Sequence, residues 1–272
     1  MNLNFYSVDT LCAGVDFDSD RPVIDLSDID FFEPFALVYL GMVLRHFTSS
    51  GRVIQVIPPV DRKALGYLAR QNFWQRFNFD PATLNPALLW RLSPYTSLND
   101  IVDIERRPNI AEEILFEVLK VLRNNGLNLD AQTLAEVTAE LVDNFAVHSE
   151  EGRYGALAMQ WYPQGHRLIL AVGDCGIGIR RSLSKAGQYA YLANRSHGEA
   201  TTKAFEAEVT SRSGHGGIGL SEVVEGIARM GGQVQLVSGN SFIRISSREE
   251  RRTGSRKFEA PGVQIEISVP VR

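Results

Sequence analysis

Cysteine is almost missing from this chain. Its two thiols, Cys12 and Cys175, lie far apart. They make no disulfide framework, and no CxxC or Cys/His spacing suggests zinc. A reducing, cytoplasmic setting is the expectation. Basic charge is not in excess either. The net charge is −4 and the isoelectric point near 5.8, with no long basic run, so nucleic acid is not an expected partner. The basic cluster Arg248, Arg251, Arg252, Arg256 and Lys257 is interrupted by Glu249 and Glu250 and is expected to be a solvated loop. Long apolar runs are lacking too. The longest, Pro34 to Leu44, is too short to span a bilayer, so no membrane association is expected. No secretion-signal pattern opens the chain.

What is present is an ordinary globular composition, 44% apolar and 22% charged over 272 residues. That length suits two modest domains. Residues 1–80 read as a small α/β layer domain. Arg21 to Leu26 is a strand candidate. Pro34 opens a helix through Phe47, a position that suits proline because its missing N–H is not needed there. Gly51 closes it. Arg52 to Ile57 is a β-branched strand stopped by Pro58 and Pro59, and Asp61 caps a helix to about Asn72.

The phrase IDLSDIDFFEPFALVYL and the strand and helix after it resemble the STAS-like domains of anti-sigma-factor antagonists, over about Pro22 to Phe77. Those domains accept phosphate on a serine near the start of the helix. Here Pro34 and Phe35 hold the corresponding places, with Glu33 before them. The resemblance therefore implies a docking or stiffening domain rather than one switched by phosphate. A generic α/β domain is the competing reading. Residues 81–107 lose periodicity, carry recurrent proline, and read as a linker with a short helix at residues 87–92.

Residues 108–272 carry three motifs. Ile110 to Asn125 is an amphipathic helix, and Asp130 caps the next one. In that second helix Leu134, Val137, Leu141 and Phe145 share one face, while Glu136, Glu140, Asn144 and His148 form a neighbouring stripe. Two strands, Tyr154 to Trp161 and Arg167 to Gly173, lead into Asp174-Cys175-Gly176-Ile177-Gly178. There a carboxylate stands beside backbone that can approach a flat ligand closely. Its natural partner is an exocyclic amine such as that of adenine. Third comes Gly214 to Leu220, a glycine-rich stretch opening a helix over Ser221 to Met230, a cradle suited to phosphate. Gln233 to Val237, Phe242 to Ser246 and Val263 to Val269 are closing strands. Each motif alone has a bland reading: a solvated helix edge, a capping aspartate, a flexible loop.

Their order and spacing resemble the GHKL superfamily of ATP-binding domains, found in sensor histidine kinases, anti-sigma-factor kinases, DNA gyrase, mismatch-repair ATPases and heat-shock chaperones. The resemblance covers about Ile110 to Arg272. It implies a two-layer α/β sandwich with a mixed sheet, and it implies ATP and Mg²⁺ as cofactors. It assigns Asn144 to the metal ion, Glu140 to catalysis as a general base, and Asp174 to the adenine amine. Gly176 and Gly178 would shape the base pocket. Gly217, Gly219 and Leu220 would meet the phosphates through their N–H groups, and Arg180 to Ser213 would be the lid. His148, four places after Asn144, looks like the kinase branch; a helix-end imidazole is its bland reading.

One departure stands out. Where relatives carry threonine after the glycine that opens the last strand, Gly262 is followed here by Val263 and Gln264. No phosphoacceptor-histidine helix pair precedes the ATP domain in this sequence. The resemblance points to a cytoplasmic, bacterial-type regulatory protein that transfers phosphate from Mg·ATP to Ser or Thr of a partner protein. A non-catalytic ATP-sensing module and an ATP-hydrolysing homodimeric clamp are the alternatives.

Overall fold

The computed structural model of the chain describes residues 1–77, 102–105, 109–148, 154–206, 209, 219–246 and 250–271. Most of the expected linker, with its short helix, and Gly214 to Ile218 lie outside the described residues.

The N-terminal segment is built around one helix. Strand β1 (Asn2–Leu3) and helix α1 (Ser7–Ala13) come first, then β2 (Val23–Asp25), β3 (Phe31–Phe32), α2 (Pro34–Ser49), β4 (Gln55–Ile57), α3 (Arg62–Arg70) and α4 (Phe73–Arg76). The strands form two parallel pairs, β1 with β3 and β2 with β4. Asp61 caps α3 as expected, its side chain accepting from the N–H groups of Lys63 and Ala64. Every residue of α2 from Pro34 to Leu44 is buried. A helix apolar all round must be covered all round. The strand pairs, α1 and α4 cover part of α2, and the rest lies on a sheet made by the C-terminal half.

That sheet has five strands in the order β5-β6-β7-β9-β8. They are β5 (Val102–Glu105), β6 (Tyr154–Tyr162), β7 (Arg167–Asp174), β8 (Gln233–Ile245) and β9 (Arg251–Pro270). Strand β5 falls where the sequence suggests linker. A mixed sheet is the expectation, but the four ladders are all antiparallel. The turn over residues 163–166 folds β6 back on β7, and β9 returns between β7 and β8. Three closing strands are expected and two long ones are found. A register shift around Gly239 bends β8 without ending it.

The expected solvated loop is also corrected. Arg251 to Lys257 belongs to β9, and Arg256 is buried with its guanidinium 4.2 Å from the centre of the Phe5 ring. Beside it the Asp9 carboxylate of α1 accepts from the N–H groups of Lys257, at 3.2 Å, and Phe258, at 3.1 Å. An arginine stem and face can be buried against aromatic rings while the charge is partly satisfied. Sequence adjacency to glutamates hides that option.

The two faces of the sheet carry different side chains. One presents Ala156, Ala158, Ala171, Val237 and Ala260, which join the N-terminal core. Small residues there let α2 approach closely: a Cβ on Gly173 would lie 2.6 Å from Val38 Cγ1. The other face presents Leu157, Met159, Leu168, Leu170, Val172, Leu236, Ile265 and Ile267 to the C-terminal helices. These are α5 (Ile110–Asn124), α6 (Ala131–His148), α7 (Gly178–Ser184), α8 (His197–Ala204) and α9 (Leu220–Arg229), with a 3₁₀ helix at Gly187–Asn194. Each large aliphatic chain so buried contributes about 2 kcal/mol. Among the described residues no helix is long and apolar enough to cross a membrane.

Candidate functional site

Helix α6 starts where its sequence says it should, with Asp130 accepting from the Thr133 N–H at 3.0 Å. Leu134, Val137, Leu141 and Phe145 are buried against the sheet and α9, which fixes the helix rotation. The polar stripe then divides. Glu136 is exposed and accepts from Gln132, so at that position the solvated-edge reading holds. Glu140 is buried, and the Asn144 amide donates to its Oε1 at 2.9 Å. Turned that way, Asn144 keeps its side-chain oxygen for another partner. His148 is the last residue of α6, and its side chain lies outside the described residues.

Asp174 ends β7. Leu168, Leu170 and Val172 point to the helix layer, and period-two alternation puts Asp174 on the same face. Phe145 of α6 reaches this strand end: a Cβ on Gly155, the register partner of Asp174, would lie 3.0 Å from Phe145 Cε2. The Asp174 carboxylate accepts from the Gly176 N–H at 2.6 Å. Burial pushes its pKa up to about 7, against the lowering effect of N–H donation from Gly176 and Val263. A carboxyl held out of water with so few donors has unused acceptor capacity.

The glycines of this loop take two roles. Gly178 opens α7 with a φ of +73°, and Gly176 supplies the hydrogen bond to Asp174. The following turn is tied to the sheet by Ser238, whose hydroxyl accepts from the Ile179 N–H at 3.0 Å and donates to the Gly262 carbonyl at 3.2 Å. Gly219 caps α9 in an extended conformation and Leu220 is its first helical residue. Among the described residues no side chain caps that helix start, and a helix N-terminus of this kind is suited to an anion. Gly226 of α9 packs against Thr133 and Val137, which fixes α9 beside α6. Gly217 lies outside the described residues.

So Glu140 and Asn144 are brought into contact, Asp174 shares their layer, and Gly219 and Leu220 begin a helix packed on α6. The expected lid is folded in its first part as α7, the 3₁₀ helix and α8, while residues 207, 208 and 210–213 lie outside the described residues.

Sequence reasoning missed how Gln264 and Ser238 hold this loop. Gln264 faces away from the Asp174 carboxylate, and its amide donates to the Asp174 and Pro261 carbonyls. The available signal was the alternation of Gln264, Glu266 and Ser268 along β9, three polar residues that are all buried.

The donors fit a hard cation: a side-chain amide oxygen and a carboxylate suit Mg²⁺, which takes its other ligands from phosphate and water. Among the described residues no group of three or more His, Cys, Asp or Glu could hold a metal ion; Asn144 is the residue that would hold Mg²⁺ together with phosphate oxygens and water. No curated protein matches the chain. Residues 129–272, more than half of the chain, match the family described as histidine kinase-, DNA gyrase B-, and HSP90-like ATPase. The chain belongs to that family and carries its ATP-binding domain.

Proposed function

We propose that this protein binds Mg·ATP between α6, the Asp174 loop and the start of α9, and passes the terminal phosphoryl group to a Ser or Thr of a partner protein. The carrying observation is the placement of Asp174: its desolvated carboxyl faces the layer that holds the Glu140–Asn144 pair. In this reading Asp174 accepts from the adenine amine, and the Gly176 to Gly178 backbone forms the base pocket. Asn144 gives its oxygen to Mg²⁺. Leu220 and Gly219 meet the phosphates at a helix start, with Gly217 before them. Glu140, held by Asn144, takes the proton of the acceptor hydroxyl, and the metal ion would neutralise phosphate charge. His148 would lie at the phosphate end of α6. The kinase-type choice rests on the resemblance to anti-sigma-factor kinases. The N-terminal segment, read as a degenerate STAS-like unit, would serve docking.

A second reading is a nucleotide-sensing module without turnover. It is favoured by Gln264, whose side chain is spent on main-chain carbonyls instead of supporting a water beside Asp174.

Calorimetry with ATP, ADP and a non-hydrolysable analogue, with and without Mg²⁺, tests the shared part. Wild type should bind, and Asp174→Asn should lose at least about tenfold in affinity, or about 1.4 kcal/mol. Equal binding by both would reject the assignment. Labelled-ATP transfer to candidate partners then separates the two readings. Transfer abolished by Glu140→Gln supports the kinase; tight binding with no transfer or phosphate release supports the sensor.

A further inference from the structure

Under the start of α2 the covered face of the sheet turns from small and apolar to polar. Glu266 of β9 and Gln235 of β8 stand opposite each other in the register there, and both are buried. The Gln235 amide donates to Glu266 Oε1 at 2.8 Å. The other two polar atoms of the pair, Glu266 Oε2 and Gln235 Oε1, are buried without a hydrogen bond among the described residues. Two unpaired acceptors on side chains already joined are unfavourable, and one proton removes the mismatch. A carboxylic acid and a primary amide close a ring of two hydrogen bonds: the amide N–H donates to one carboxyl oxygen, and the acid O–H donates to the amide oxygen. The two orphaned atoms are the two that such a ring requires.

The surroundings favour the proton. Glu33, the N-cap residue of α2, acts on Glu266 as a like charge, while Arg167 of β7 and Arg244 of β8 act as opposite charges. Both arginines are engaged elsewhere. Arg167 lies 3.6 Å from Glu33, and Arg244 donates to Tyr6 and to Gln233. Among the described residues neither forms an ion pair with Glu266. Tyr162 of β6 also faces the group, but burial pushes its phenol far above neutrality. Tyr67 of α3, next to Tyr162, donates to Gln160 at 3.0 Å.

From this geometry we propose that Glu266 and Gln235 form a proton-operated latch for the N-terminal segment. With hydrogen on Oε2 the ring is closed, and α2 starts over a neutral pair. Without it the ring is half open, and the Glu266 carboxylate faces Glu33 across the seam between segment and sheet. Burial first, and Glu33 second, raise the pKa of Glu266 from 4.5 to about 7. The folded group holds its proton more tightly than the unfolded chain does. The latch is therefore fully closed below the unfolded value and releases as pH climbs through about 7. It does not depend on the nucleotide reading.

The full chain, labelled with ¹³C and ¹⁵N and free of nucleotide, is titrated from pH 5 to 9. The Glu266 carboxyl carbon should titrate near 7. Glu33→Gln removes the like charge and should lower that midpoint. Amide exchange reads the release. The Leu37 N–H donates to the Glu33 carbonyl at 3.2 Å, and the Glu33 N–H to the Leu3 carbonyl at 2.9 Å. Their protection factors in wild type should fall at least about threefold between pH 6 and 8. Glu266→Gln mimics the protonated acid, since its amide donates to Gln235 Oε1 while its oxygen accepts from Nε2. This variant should match wild type at pH 6 and keep its protection at pH 8. A Glu266 midpoint in the ordinary carboxylate range overturns the latch, as does a midpoint that Glu33→Gln leaves in place or raises. Protection that does not fall in wild type, or falls equally in Glu266→Gln, overturns it as well. Weaker protection in Glu266→Gln than in wild type at pH 6 rejects the ring.

Discussion

The side-chain amide of Gln264 bridges two main-chain carbonyls, donating to Asp174 at 2.8 Å and to Pro261 at 3.0 Å. It stands directly opposite Gly173 in the sheet register. The strand end that carries Asp174 is therefore held from the face opposite its own carboxylate. Replacing Gln264 with leucine should cost about 1–2 kcal/mol of stability through the two lost bonds. It should also weaken nucleotide binding severalfold. Thermal unfolding and calorimetry on the variant check both.

Gly262 should tolerate no side chain. Its φ is +61°, and a Cβ there would lie 2.4 Å from Asp174 Oδ1. Gly262→Ala should cost about 1–3 kcal/mol in backbone strain alone. Displacement of the Asp174 carboxylate should lower ATP affinity by more than Gln264→Leu does. Comparing the two variants by calorimetry at one temperature decides the order.

The stability contributed by Asp174 and Glu266 should fall as pH rises toward neutrality. Burial lifts the pKa values of Asp174 and Glu266 from 3.8 and 4.5 to about 7 each. Both groups bind protons more tightly in the folded state than in the unfolded chain. Their contribution is complete below the unfolded values and is lost as pH climbs through about 7. Each group adds a slope of at most about 1.4 kcal/mol per pH unit in that window. Asp174→Asn and Glu266→Gln should each flatten the curve between pH 5 and 7 in denaturant titrations. Asp174→Asn should thus stabilise the fold at pH 8 while weakening ATP binding, a pairing that a merely damaged protein would not show.

Removing residues 1–77 should leave a sheet with Ala156, Ala158, Ala171, Val237 and Ala260 uncovered. The remaining fragment is expected to bind hydrophobic dyes and to aggregate. A monomeric, cooperatively unfolding fragment with undiminished ATP affinity would show the N-terminal segment to be dispensable for the nucleotide fold.

The helices were legible because their caps and periodicity are local. Asp61, Asp130 and the Leu134 to Phe145 stripe act where they stand. The three motifs were legible as an ordered series, since glycine and carboxylate positions carry their chemistry in sequence. What α2 covers was not legible. Its unbroken burial from Pro34 to Leu44 announces a partner on every side but does not say which. The polar residues of β9 mislead in the opposite sense. Gln264, Glu266 and Ser268 alternate as on a solvated face, yet the N-terminal segment covers them. The cost remains visible in Gln264 Oε1, Glu266 Oε2 and Gln235 Oε1, buried acceptors without a hydrogen bond. Arg256 likewise reads as loop charge until Phe5, distant in sequence, is placed beneath it.

The packing of α2 also has a consequence for biosynthesis. Its greasy cylinder leaves the ribosome early, whereas β7 and β9, the strands it must rest on, are translated much later. Throughout that interval its apolar girth has no native bed. Contacts closed over such long stretches of chain form slowly and leave nascent polypeptide exposed. A growing chain of this design would be a natural client for a cotranslational chaperone.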